Sequence, residues 1–241
     1  MRRLRSDLNP ALAGWGLPDG VPGPNAWYRL WRMLFRMAAN VTWQVRVVNR
    51  HHEPTRGPAL YLCNHQSYLD PGLMSVALQR PMNFMAREGL FGIPGFGRFI
   101  ASLLAFPVRR GAADTGAMKE ALRRLKRGGQ LVVFPEGTRT PDGRVGPFLP
   151  GVALLARRAA EWVVPVLIDG AFELWPRHKA LPRLGQIFVA YCPPLGIDAI
   201  HRLGDAGVLA VARERIIAMQ TEIRRRFGKA PYEYPSEVGN P

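Results

Sequence analysis

The run Asn64-His65-Gln66-Ser67-Tyr68-Leu69-Asp70 sets an imidazole and a carboxylate five positions apart, where an apolar stretch ends. That stretch, Ala59-Leu60-Tyr61-Leu62-Cys63, reads as a short buried strand. Asp70-Pro71-Gly72-Leu73 reads as a helix start, with Asp70 at the N-cap and Pro71 at the first helical position. On one continuous helix the two side chains would stand roughly 140° apart and could hardly meet. A strand-to-helix turn lets them fold back on each other. A neutral imidazole held by a carboxylate is a general base near neutral pH, because an unperturbed histidine titrates around pH 6.5. Taken singly, Asp70 is equally an ordinary helix cap, and His65 a turn residue satisfied by backbone.

A second block shifts that balance. Phe134-Pro135-Glu136-Gly137-Thr138-Arg139 follows the apolar run Leu131-Val132-Val133-Phe134 and precedes the turn Thr140-Pro141-Asp142-Gly143. Pro135 stops the strand, Gly137 lets backbone approach a ligand, and Arg139 offers a planar fork suited to phosphate. The plainer reading is a surface loop with a Glu136–Arg139 ion pair. Cys63 lies two residues before His65, on the same strand face, and raises the alternative of a thiol enzyme. Against that, a cysteine inside an apolar strand is usually a small buried filler, and Cys192 beside the run 187–191 reads the same way. Two cysteines without paired spacing give neither a zinc site nor a disulfide framework.

Taken together, the blocks resemble the glycerolipid acyltransferase family typified by lysophosphatidate (1-acylglycerol-3-phosphate) acyltransferase. His65 through Asp70 is similar to its HxxxxD block, and Phe134 through Arg139 matches its FPEGTR block at every position. Phe106-Pro107-Val108-Arg109-Arg110-Gly111 resembles the arginine-bearing second block, with Arg110 the better match and Arg109 standing where an acidic residue is often seen. Val163-Val164-Pro165-Val166 resembles the fourth block. The likeness runs from about residue 58 to 195, with Pro150 a departure from the basic residue often found before the glycine.

The resemblance implies acyl transfer from a thioester, carried by coenzyme A or acyl carrier protein, to a lysophospholipid hydroxyl. No other cofactor and no metal is implied. His65 would take the hydroxyl proton while Asp70 fixes its tautomer. Arg110, Glu136, Gly137, Thr138 and Arg139, with Arg109 and Pro165 as further candidates, would hold the glycerol-phosphate end. Glu136, whose charge repels phosphate, would bind a hydroxyl or position an arginine. Other lysolipids or glycerol 3-phosphate suit the same chemistry, and a non-catalytic basic module for membrane or nucleic acid stands as the alternative from another class.

The elements needed to position these groups are legible in outline. With 241 residues, 47% of them hydrophobic, the chain can bury one good core. Strand-like runs at 59–63, 83–86, 131–134, 163–168 and 187–191 alternate with helical patterns at 71–79, 117–127 and 151–161. That alternation predicts an α/β single domain with a mostly parallel twisted sheet flanked by helices. The expected division is an irregular segment 1–24, an amphipathic membrane-facing helical segment 25–50, an acyltransferase domain 51–229 and an irregular tail 230–241.

The net charge of +15 suits anionic lipid, an acidic carrier protein or nucleic acid, and only four of the 33 basic residues are lysines. Residues 25–39 combine Trp27, Tyr28, Trp31 and Phe35 with Arg29, Arg32 and Arg36 on one helical face. Such a helix lies in a membrane interface, packs on the domain, or does both. No window offers 18 or more apolar residues, and the first residues lack a secretion signal's apolar core. The expectation is a peripheral protein on the cytoplasmic side of a membrane carrying anionic lipids, with no specific nucleic-acid partner. Residues 207–227 predict a docking helix, ending in Arg224-Arg225-Arg226, which suits either lipid phosphates or the helix dipole.

Overall fold

The apolar runs become strands because both of their faces are covered. In the computed structural model, which describes residues 25–109 and 114–234, all five residues of β2 (Ala59–Cys63) and all four of β5 (Gln130–Val133) are buried. Six further strands join them: β1 (Arg46–Val48), β3 (Met82–Arg87), β4 (Ala105–Val108), β6 (Trp162–Asp169), β7 (Phe188–Tyr191) and β8 (Leu195–Gly196). The sheet order is β1-β7-β6-β2-β5-β3-β4, with β8 paired to β6. β2 lies parallel to both β5 and β6, β3 parallel to β4 and β5, and β1 parallel to β7. Only β7 and β8 run antiparallel to β6. The expected mostly parallel α/β architecture is what folds.

Side chains alternate across this sheet and divide the core. Ala59, Tyr61 and Cys63 join Val164, Val166 and Ile168 beneath α1 (Ala26–Trp43), α2 (Asp70–Ala77) and α4 (Phe96–Ser102), the last reached from β3 by the short α3 (Glu88–Phe91). Leu60 and Leu62 join Leu131, Val133 and Val163 beneath α5 (Thr115–Lys126), α6 (Ala153–Ala159) and α8 (Ile197–Arg226). The short α7 (Ala171–Leu174) follows β6 directly. Burial on both faces is why these strands read as continuous apolar runs.

Two expectations change, and two open readings narrow. The N-cap of α2 is Leu69 rather than Asp70, which becomes the first helical residue because its carboxylate is occupied by the preceding turn. The segment 25–50 is helical only through Trp43, and residues 46–48 form the edge strand β1 on β7. On α1, Arg32 and Arg36 reach the Gln79 and Val76 carbonyls at and just past the end of α2, Arg29 stays exposed, and Trp27, Leu30, Met37 and Val41 face outward. Arg224 is buried in an ion pair with Asp169 and Glu173 and is not available to lipid phosphates. Residues 1–24 and 235–241, with the expected irregular ends, lie outside the described residues, as does Arg110. Among the described residues no helix is long and apolar enough to cross a membrane.

Candidate active site

β2 and β5 are adjacent and parallel, so the turns that follow them leave the sheet at the same edge, where ligands of open α/β sheets bind. There the ladder between β2 and β6 is prolonged by a side chain. The Asn64 amide donates to the Ile168 carbonyl at 2.9 Å and accepts from the Ile168 N–H at 2.7 Å. This clamp lets the chain leave the strand without orphaning buried backbone, and it aims the next residue, His65, along the edge.

His65 Nδ1 lies 2.7 Å from Asp70 Oδ2. The same carboxylate oxygen accepts from the Gln66 and Ser67 N–H groups at 2.6 and 2.8 Å, so the five-residue spacing closes as a turn around Asp70. Asp70 is fully buried, and its Oδ1 has no hydrogen-bond partner. The His65 ring stacks on Phe134 at the end of β5, with centroids 4.2 Å apart and planes 21° from parallel. Because Nδ1 is engaged, Nε2 is the nitrogen left to exchange a proton with a bound molecule. Ser67 and Gln66 tether the turn from behind: Ser67 Oγ donates to the Trp175 carbonyl, and the Gln66 amide bridges the Gly143 carbonyl and the Phe172 N–H.

The second block grips the main chain of His65 from both sides. The His65 N–H donates to Glu136 Oε1 at 3.1 Å, and the Thr140 N–H donates to the His65 carbonyl at 2.7 Å. Glu136 therefore positions the imidazole's backbone and does not pair with Arg139. Burial pushes its carboxyl up to about 8, while the facing His65 and Gly146 N–H groups pull the other way. Gly137 takes a left-handed φ of +69°, and a Cβ there would fall 2.7 Å from Leu149 Cδ1. Arg139 lies over the exposed Tyr68 ring, 3.4 Å from its centroid, and one of its terminal nitrogens is buried without a partner. Thr138 and Arg139, with Glu136 and Arg144, line a cleft of about 350 Å³ beside this turn.

Other candidates fall elsewhere. Arg109 stands exposed beyond edge strand β4, two strands from β5, and its N–H donates to Asp114 Oδ2 at 2.9 Å. Pro165 is buried in the middle of β6 opposite Leu62, and its carbonyl accepts from the Cys192 N–H, so it presents no free polar group to a substrate. Cys63 is fully buried and burial pushes its thiol up, which disfavours the thiolate a thiol enzyme needs. Among the described residues no group of three or more His, Cys, Asp or Glu side chains is placed to hold a metal ion. Sequence reasoning gave no role to Asn64, Gln66, Ser67 or Phe134, although all four lie within the two blocks. Their signal was membership of those blocks, with nothing to say which main-chain group or ring each would meet.

A buried imidazole–carboxylate pair beside a basic cleft fits base-assisted attack by a hydroxyl carried on an anionic molecule. Residues 44–169 match the family model described as Acyltransferase. The chain is 32% identical over 121 residues to the chloroplastic 1-acyl-sn-glycerol-3-phosphate acyltransferase BAT2 of Brassica napus, covering 49% of this chain and 35% of that protein. The chain thus spans about a third of the length of that relative. To a 1-acyl-sn-glycerol-3-phosphate acyltransferase of Pseudomonas aeruginosa it is 30% identical over 190 residues, covering 77% of this chain and 69% of the relative. The crystal structure of the 1-acyl-sn-glycerophosphate acyltransferase PlsC from Thermotoga maritima superposes with a TM-score of 0.73 at 25% identity, covering 86% of this chain and 81% of that one.

Proposed function

We propose that this chain, which belongs to the acyltransferase family, moves a fatty acyl group from an acyl thioester to the free hydroxyl of 1-acylglycerol 3-phosphate, giving phosphatidate. The observation that supports this reading best is the 2.7 Å contact of His65 Nδ1 with a buried carboxylate, which leaves Nε2 to exchange a proton, on a residue whose backbone is held by Glu136. The names of the relatives add to it.

The chemistry follows from that contact. The acceptor hydroxyl gives its proton to His65 Nε2 as its oxygen attacks the thioester carbonyl. Asp70 holds the tautomer and stabilises the imidazolium. When the tetrahedral intermediate collapses, the C–S bond breaks and the imidazolium returns the proton to the departing thiolate. No acyl-enzyme is required, because the acceptor oxygen is itself the nucleophile. General-base help supplies about 10²–10⁴-fold, and the remainder comes from positioning and from donors facing the developing oxyanion. Arg139, with its partnerless nitrogen over Tyr68, and Thr138 take the acceptor phosphate, and Gly137 shapes their loop. The thioester is carried by coenzyme A or by acyl carrier protein. The protein works peripherally on the cytoplasmic face of a membrane, with the outward apolar stripe of α1 against the lipid.

The test is a panel of acceptors with labelled acyl thioester, read by product mass for the wild type and His65→Ala. Acylated lysophosphatidate from the wild type and none from a folded His65→Ala is expected. Turnover retained in the variant sinks the mechanism, and a product formed only from glycerol 3-phosphate or another lysolipid reassigns the acceptor.

A further inference from the structure

The family match ends at residue 169, yet the loop behind the cleft is held largely by residues beyond it. Gly143 carries a carbonyl that accepts from Gln66 Nε2 at 3.0 Å on the catalytic side and from Gln220 Nε2 of α8 at 3.1 Å on the other. The Tyr234 hydroxyl accepts from the Val145 N–H at 2.9 Å and donates to Gln220 Oε1. Arg213 donates to the Gly146 carbonyl at 2.9 Å.

The stretch that brings Tyr234 there, residues 229–234, has no regular structure and is strapped down by side chains. Arg224 Nε donates to the Ala230 carbonyl at 2.7 Å, and its guanidinium lies 4.0 Å from the Tyr232 ring centroid. A Cβ at Gly143 would fall on the Tyr232 hydroxyl, so glycine is needed for the strap to close over the loop. Next along that loop, the Gly146 N–H faces the Glu136 carboxyl, and Glu136 Oε1 accepts the His65 N–H at 3.1 Å. Tyr234 also lines the cleft with Glu136, Thr138, Arg139 and Arg144.

We infer that the C-terminal strap is part of the acceptor site, with Tyr234 a positioning residue whose hydroxyl sets the Val145–Gly146 backbone against Glu136 and so fixes the pocket for the acceptor's phosphate end. This rests on the reading of residues 136–139 as the acceptor cradle. A purely structural strap has no reason to border the cleft or to end its chain of contacts on the backbone of His65.

Tyr234→Phe keeps the ring and removes only the oxygen, leaving Val145 N–H without its partner. Two measurements read it. In equilibrium binding of glycerol 3-phosphate without donor, the variant should bind about five- to tenfold more weakly, the scale of one lost hydrogen bond. In steady-state turnover, the KM for lysophosphatidate should rise by a similar factor while the KM for the acyl thioester stays put. Equal binding by wild type and variant overturns the inference alone. An equal rise in the KM for the acyl thioester assigns Tyr234 a merely structural role and also overturns it. No binding of either glycerol 3-phosphate or lysophosphatidate by the wild type defeats the acceptor reading, and this inference with it.

Discussion

Glu136 accepts the His65 N–H while buried among loop residues, and burial raises its carboxyl from 4.5 to about 8. The folded chain therefore holds this proton up to about pH 8, whereas the unfolded chain releases it near 4.5. Across that interval the folded state binds more protons, so stability must fall as pH rises. The contribution is complete below about 4.5 and lost above about 8. Glu136→Gln removes the titration. Denaturant unfolding of the two proteins from pH 4.5 to 8.5 should show wild-type stability declining relative to the variant through that window. Parallel curves would mean that the carboxyl is ionised throughout. That residues 65 and 70 can fold back on each other was readable from spacing, because a strand end followed by Asp-Pro restricts the chain to a turn, but reading them as a pair took the second block and the family resemblance as well. The partner of Glu136 was not readable. It is a main-chain N–H 71 residues away, and main-chain donors leave no mark in the sequence.

At the scale of elements, α1 and α2 are matched back to back. Arg32 and Arg36 of α1, with Arg50 from the turn after β1, donate to the carbonyls of Gln79, Val76 and Ala77, supplying donors at and just past the C-terminus of α2, where helix carbonyls have none of their own. At the other end of α2, the Phe35 ring packs so closely that a Cβ on Gly72 would lie 2.5 Å from Phe35 Cζ. Gly72→Ala should thus cost about 1–3 kcal/mol through overpacking, although alanine is the better helix former. Adding Phe35→Leu opens the contact and should recover part of that loss. A urea double-mutant cycle checks it, since strictly additive effects would show that the ring does not press on the helix. This pairing explains what the sequence hid about the fold. Strands β2, β5 and β6 were legible because burial on both faces leaves only apolar residues. The direction of the α1 arginines was not, because a stripe with charge on one side and aromatics on the other suits either face until a partner is known. The three-residue β1 exists only through its pairing with β7, and nothing local announces it.

Over the whole molecule, the outward side chains of α1 join a second apolar edge. Trp31 packs edge-on against Phe99 at 4.9 Å, and Trp27 Nε1 donates to Ser102 Oγ at 2.9 Å, so α1 and α4 share one surface. Leu30, Met33, Met37 and Val41 from α1 and Leu90, Ile93 and Phe96 from the region of α3 and α4 are exposed there. Val41 is 83% exposed and Met37 60%, more than a helix docked only on its own domain requires. With a net charge of +15, two forces act on any lipid surface that meets this edge, and they differ in salt dependence. Attraction of basic residues to anionic headgroups is worth about 1 kcal/mol each near the surface and is screened within roughly 8 Å at physiological ionic strength. Apolar insertion is not screened. Co-sedimentation with phosphatidylglycerol-containing vesicles should weaken as salt rises and level off at a residual binding, which neutral vesicles share. Met37→Ser with Val41→Ser should abolish that residual while leaving the low-salt electrostatic part and the thermal midpoint nearly unchanged, since both side chains already face solvent. Residual binding that survives the double variant would move the lipid-facing edge away from α1. Binding that vanishes entirely at high salt in the wild type would reduce the membrane contact to charge alone.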